Sequence, residues 1–178
     1  MYKNLLIKLS GESLMKDIEN VSKEKTQEIA KLIKEVRRLG YNVGIVIGGG
    51  NFFRGRSNKD MEPLFVDTMG MLGTTINALG LADAFKKEDV PCVISTPFDL
   101  NGLIPKLSTD EVLEKYKENV VIFGGGTGKP FFSTDTGASL RAIDIKADMI
   151  IKLTNVDGVY DKDPNLYNDA IMYDKITY

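Results

Sequence analysis

The 178-residue chain contains no histidine and a single cysteine, Cys92. The first absence excludes Ser–His triads, histidine proton shuttles and histidine-ligated zinc. The second excludes an internal disulfide and a cysteine-built metal cluster. Cys92 stands in the strand-like run Val90-Pro91-Cys92-Val93-Ile94 and reads as a buried structural thiol. No apolar run approaches the roughly 18 residues of a membrane span, so no membrane partner is expected. The start, Met1-Tyr2-Lys3-Asn4, runs straight into a short apolar segment without a small-residue cleavage site. It therefore shows no secretory signal, and a cytoplasmic location is expected. A net charge of −2 and a pI near 5.3 argue against bulk binding of nucleic acid.

What is present describes a globular chain. Hydrophobic residues make up 43% and charged residues 27%, which excludes disorder and permits a real core. Strand-like and helix-like segments alternate. Residues 4–9 (NLLIKL), 42–47 (NVGIVI), 90–95, 119–123 (NVVIF) and 149–153 (MIIKL) read as strands. Residues 22–39 read as an amphipathic helix, with Ile29, Leu32, Ile33 and Val36 on one face and Gly40 as its stop. Residues 63–87 read as a long, mostly apolar core helix. Ser108 and Glu111 form a capping-box pattern, and a further helix runs from Thr134 or Asp135 to Ala147. The tail from Asp157 reads as turns and a hairpin. Strands spaced by helices predict a mainly parallel sheet covered on both faces, with ligands beyond the strands' carboxyl ends.

Three of those strand ends carry special loops: Lys8-Leu9-Ser10-Gly11-Glu12, Gly48-Gly49-Gly50-Asn51, and Gly124 to Gly128. Glycine lets backbone N–H groups turn toward an anion and lets a phosphate come close. One such cluster needs no more explanation than a tight turn. Three at equivalent strand ends point to a phosphate-rich ligand. Neither standard fingerprint applies. Gly128-Lys129 is followed by Pro130, and Phe123 stands where a P-loop begins. Phe53, Lys129 and Phe131 occupy the third-glycine positions of any G-x-G-x-x-G pattern.

Lys8 and Lys152 each sit inside an apolar strand, where an ammonium is costly unless paired. One such lysine reads as an edge residue reaching to water. Two at strand ends beside glycine loops favour catalytic or phosphate contacts. Asp135, following Ser133-Thr134 at a helix start, is placed to hold both ammonium groups, or to cap the helix.

Taken together, these residues resemble a known family. Lys8-Leu9-Ser10-Gly11-Glu12, Gly48-Gly49-Gly50-Asn51-x-x-Arg54-Gly55, Asp67-x-x-Gly70-Met71, Gly126-Thr127-Gly128-x-Pro130-Phe131-Phe132-x-Thr134-Asp135, and Lys152-x-Thr154-x-Val156-Asp157-Gly158-Val159-Tyr160-x-x-Asp163-Pro164 are similar to the amino acid kinase family, and within it to the bacterial uridylate kinases. The resemblance spans essentially the whole chain, in order. It implies a three-layer αβα sandwich and phosphoryl transfer from ATP to UMP in pyrimidine nucleotide biosynthesis. Lys8 and Lys152 would stabilise the transferring group, oriented by Asp135. Lys8, Leu9, Ser10, Gly11, Gly50, Arg54, Thr154, Tyr160 and Asp163 would meet ATP. Gly49, Asp67, Thr127, Gly128, Lys129, Pro130, Phe131, Phe132, Ser133 and Thr134 would hold UMP. Magnesium would arrive on ATP, with no protein metal site. The family also implies a homo-oligomer, a hexamer in its members, packed through the region around residues 69–84.

The chain departs from the family at three points. Lys129 stands where members usually carry Asn. The segment Ser13-Leu14-Met15-Lys16-Asp17-Ile18-Glu19 lacks the glycines that many members link to GTP activation. Family chains continue past the point matching Ile176-Thr177-Tyr178. The expected architecture is therefore one C-terminally incomplete domain, with a UMP lobe over 1–147 and the start of an ATP lobe over 148–178. The competing expectations are a non-catalytic nucleotide-binding or assembly protein on this fold, and a kinase of the same family with a carboxylate acceptor.

Overall fold

The structure is a computed structural model and describes residues 2–53, 60–154 and 156–177. Five parallel strands form the central sheet: β1 (Asn4–Leu9), β2 (Asn42–Ile47), β3 (Cys92–Ser95), β4 (Val120–Phe123) and β5 (Met149–Lys152), in the order β3-β4-β2-β1-β5. Four helices connect them: α1 (Lys23–Arg38), α2 (Pro63–Lys87), α3 (Thr109–Tyr116) and α4 (Thr134–Asp144). A short antiparallel pair, β6 (Val159–Tyr160) and β7 (Met172–Tyr173), follows. The three-layer expectation matches this architecture.

Strand alternation explains the layers. On one face Ile7, Leu9, Val43, Ile45, Ile47, Val120 and Ile122 meet Ala30 and Ile33 of α1 and Ala78, Leu81 and Phe85 of α2. On the other, Leu6, Val46, Val121 and Phe123 meet Val112 and Tyr116 of α3 and Ala138 and Ala142 of α4. The buried Tyr116 hydroxyl lies 2.9 Å from the carbonyl of Leu5 and 3.0 Å from that of Asn42, so it ties α3 to both central strands.

Element boundaries shift for local reasons. β3 starts at Cys92 because the Val90 N–H still bonds the Phe85 carbonyl at the end of α2. α4 stops at Asp144 rather than Ala147. Lys146 takes the left-handed conformation (φ 51°) there, and the Ala147 N–H reaches back to the Ala142 carbonyl. Glycine usually marks that position; a lysine gives no signal. By contrast, Gly40 does end α1, with φ 89°, and both halves of the Ser108–Glu111 capping box are present.

Two expectations are corrected. Cys92 is half-buried rather than buried, on the edge strand β3, where partial burial pushes its thiol pKa up. α2 is, by length and composition, long and apolar enough to cross a membrane. One face of it nevertheless packs as a core helix, burying nine residues from Val66 to Phe85.

Candidate active site

All five strands run parallel, so their carboxyl ends share one edge of the sheet. There β1, β2 and β4, the three central strands, deliver the three glycine loops. β1 lies where strand order reverses, with β2 on one side and β5 on the other. This is the crevice position expected for ligands in such sheets.

Lys8 and Lys152 are register partners across β1 and β5. Lys8 alternates onto the face of Leu6, which α4 covers. Both lysines therefore converge on the first turn of α4. Lys8 Nζ lies 3.1 Å from Asp135 Oδ1, and Lys152 Nζ donates to Asp135 Oδ2 at 2.9 Å. One carboxylate clamps two ammonium groups, one oxygen each. Ser133 caps α4 by accepting the Thr136 N–H, and the helix's positive end favours a carboxylate at Asp135. Partial burial acts to raise the Asp135 pKa. The hydrogen bonds from Lys152 and Lys8 outweigh it and hold the carboxyl below its ordinary range. The Lys8 side chain is only 14% exposed, against 52% for Lys152.

The first two glycine loops are in contact. A Cβ at Gly11 would fall 2.6 Å from the Gly48 carbonyl and 3.0 Å from the Gly50 nitrogen. Among the described residues, nothing accepts the N–H of Gly11, Gly49, Gly50 or Asn51, and the same holds for Gly126 and Thr127. Runs of free N–H groups at glycine turns form anion-binding concavities. A cleft joins the second and third loops. It is lined by Gly49, Gly50, Phe53, Val66, Asp67, Gly70, Met71, Thr74, Gly126, Thr127, Lys129, Phe132, Ser133 and Thr134. Asp67, on α2, accepts the Phe131 N–H at 2.6 Å across this cleft. Phe131 is held with φ 68°, a rare conformation for a bulky residue.

The chain matches the model of the amino acid kinase family over residues 3–178. The chain belongs to the amino acid kinase family. Its curated relatives include the uridylate kinase of Thermosipho melanesiensis, 44% identical over 180 residues, and that of Actinobacillus pleuropneumoniae, 43% identical over 182. Each match covers 100% of this chain and 77% of the relative. Among solved structures, UMP kinase from Ureaplasma parvum aligns with TM-score 0.92 at 34% identity, covering 100% of this chain and 77% of that one. UMP kinase from Bacillus anthracis aligns with TM-score 0.90 at 34% identity, covering 97% and 73%. Phosphotransfer is the chemistry of this kinase family, and the named relatives are kinases.

On this amino acid kinase scaffold most of the candidate residues are brought together. Gly49, Asp67, Thr127, Lys129, Phe132, Ser133 and Thr134 line one cleft; Gly128, Pro130 and Phe131 belong to the same loop without lining it. The Leu9 side chain is buried in the core, so only its backbone is near the crevice, and its carbonyl already accepts the Gly48 N–H. The Ser10 hydroxyl caps the turn that begins at Gly11, accepting the Glu12 N–H. Thr154, Tyr160 and Asp163 lie beyond β5. Thr154 bonds the Val156 carbonyl and Asp163 caps Asn165. None of the three hydrogen-bonds to the lysine clamp or the glycine loops. Arg54 lies outside the described residues.

Sequence reasoning missed two site-building residues, Thr74 and Asn77. Thr74 accepts the Gly125 N–H at 2.7 Å, and Asn77 donates to the Gly48 carbonyl at 2.8 Å. The available signal was a pair of polar residues, three apart, inside an apolar helix.

Proposed function

We propose that this chain transfers the γ-phosphoryl group of ATP to UMP, giving ADP and UDP, in pyrimidine nucleotide biosynthesis. One observation supports this most directly: a two-lysine, one-carboxylate clamp beside two loops whose N–H groups have no partner among the described residues. A phosphate oxygen of UMP attacks the γ-phosphorus while the bond to the bridging oxygen of ADP breaks. A phosphate oxygen is already nucleophilic, so no histidine base is required. The protein's work is positioning and charge stabilisation. Lys8 and Lys152 neutralise the transferring oxygens, and Asp135 holds the two ammonium groups together between turnovers.

In this reading Lys8, the Leu9 backbone, Ser10, Gly11, Gly50, Arg54, Thr154, Tyr160 and Asp163 serve ATP. The cleft residues Gly49, Asp67 and 127–134 serve UMP, with Asp67 accepting from the ribose hydroxyls. Residues 1–147 then form the acceptor lobe and 148–178 the start of the ATP lobe. Among the described residues, no group of three or more acidic, cysteine or histidine side chains is placed to hold a metal. Both Asp135 oxygens are engaged by lysine. These side chains do not fit a resident cation, and magnesium enters as part of the ATP substrate.

The test is a coupled assay offering UMP, CMP and glutamate as acceptors. Turnover with UMP well above the other two is the expected result. Preference for glutamate overturns the acceptor assignment. UMP binding without turnover assigns the chain to nucleotide binding alone.

We further propose that the chain self-associates through α2. Phe65, Met69, Leu72, Ile76 and Leu79 form an apolar stripe along that helix, each at least 40% exposed. Their spacing of alternating four and three residues is the seam by which helices pair. Ile76→Glu is expected to lower the mass measured by sedimentation; an unchanged mass removes this stripe from the interface.

A further inference from the structure

We infer that Asn51 and Asn77 are positioning residues for phosphoryl transfer, acting as one reciprocal amide pair that fixes the Gly48–Asn51 loop; this rests on the proposed function above. The Asn77 carboxamide donates to Asn51 Oδ1 at 2.8 Å, and the Asn51 carboxamide donates to Asn77 Oδ1 at 2.8 Å. The second Asn77 hydrogen goes to the Gly48 carbonyl at 2.8 Å, and the second Asn51 hydrogen to the Asn20 carbonyl at 2.7 Å. All four donor hydrogens are used. Asn77 is fully buried and Asn51 is 8% exposed.

Among the described residues the loop has few other restraints. Its own backbone contributes the Gly48 N–H to Leu9 and the turn bonds from Phe52 and Phe53 to the Gly49 carbonyl. Among the described residues nothing accepts the N–H groups of Gly49, Gly50 and Asn51, which leaves them open for an anion. Their direction is set from beneath, by the amide pair. Asn51 Oδ1 also lies 2.3 Å from where a Gly11 Cβ would stand, so the same amide seats the first loop on the second. Amide pairing suits this work: each partner both donates and accepts, so the geometry closes only one way round. In a low-dielectric site such a closed network is stiff, and breaking one member leaves its partners unsatisfied.

The experiment compares Asn51→Ser, Asn77→Ser and the double variant with the parent protein. In the parent, NMR is expected to show slow solvent exchange of both carboxamide groups. Each folded single variant is expected to lose on the order of tenfold or more in kcat for UMP phosphorylation, as small misplacements of reacting groups do. KM for UMP moves much less. The double variant is no slower than the worse single one, because the pair acts as a unit. The hydrogen-bonded amides of the loop, those of Gly48, Phe52 and Phe53, lose exchange protection while β2 keeps its own. Folded variants with parental kcat, or losses that simply multiply, overturn the assignment. If the parent does not phosphorylate UMP, the functional proposal fails. The shared loss of loop protection still decides the pairing. If the variants do not fold, rapid carboxamide exchange in the parent overturns it and slow exchange upholds it.

Discussion

Lys8→Ala lowers kcat for phosphoryl transfer by on the order of a hundredfold or more, the usual consequence of removing one preorganised donor from developing charge. The structure explains why Lys8, rather than Lys152, shows the larger loss. Lys8 is the less exposed of the two and sits between β5 and β2, next to both of the first two glycine loops. A charge held in a drier place interacts more strongly. Lys152 occupies the solvent side of the clamp. Lys8→Arg does not restore the rate, because a planar guanidinium presents a fork where the site holds a compact ammonium. Steady-state kinetics check both points, with KM for either nucleotide moving less than kcat. Retained turnover in Lys8→Ala removes it from the catalytic set.

The clamp was legible because strands have a period of two. A lysine inside NLLIKL and another inside MIIKL stand out against apolar neighbours. The sequence also places an aspartate just after Ser133-Thr134, where a helix begins. The parallel sheet then follows from the alternation of strands and helices, and with it the convergence of the glycine loops. Sequence alone does not show which face of α2 receives those loops. Gly70, Gly73, Thr74 and Asn77 look like interruptions in an apolar helix. The fold shows them as a seat: Gly70 lies against Gly49, Gly73 against Phe52, and the two polar residues pin separate loops. Long-range register between a helix and a loop is set by tertiary packing and leaves no periodic trace in either segment. The same reason hid the end of α4, where Lys146 takes the conformation that glycine usually announces.

Gly11→Ala is expected to cost both stability and rate, although Gly11 needs no left-handed backbone. Its constraint is space. An added Cβ would meet Asn51 Oδ1 at 2.3 Å, the Gly48 carbonyl at 2.6 Å and the Gly50 nitrogen at 3.0 Å. Two of these are backbone atoms, and the third belongs to a buried amide held on both sides by hydrogen bonds. None moves without spreading the first loop from the second. Overpacking of this kind costs about 1–3 kcal/mol, seen as a lower midpoint in chemical denaturation. On the proposed function both N–H clusters face the transferring phosphoryl, so the rate is expected to fall as well. Two other glycines serve as controls. At Gly50 the new methyl would meet only a side-chain atom, the Glu12 carboxylate at 3.3 Å, and no backbone. Gly50→Ala therefore keeps its stability while weakening ATP binding. A Cβ added at Gly70, inside α2, would meet nothing within 4 Å, and Gly70→Ala should gain roughly 0.5–1 kcal/mol from helix preference alone. Loss at position 11, no change at 50 and a gain at 70 is the pattern of loops packed in contact. Equal effects at all three positions would mean that the loops do not touch in solution.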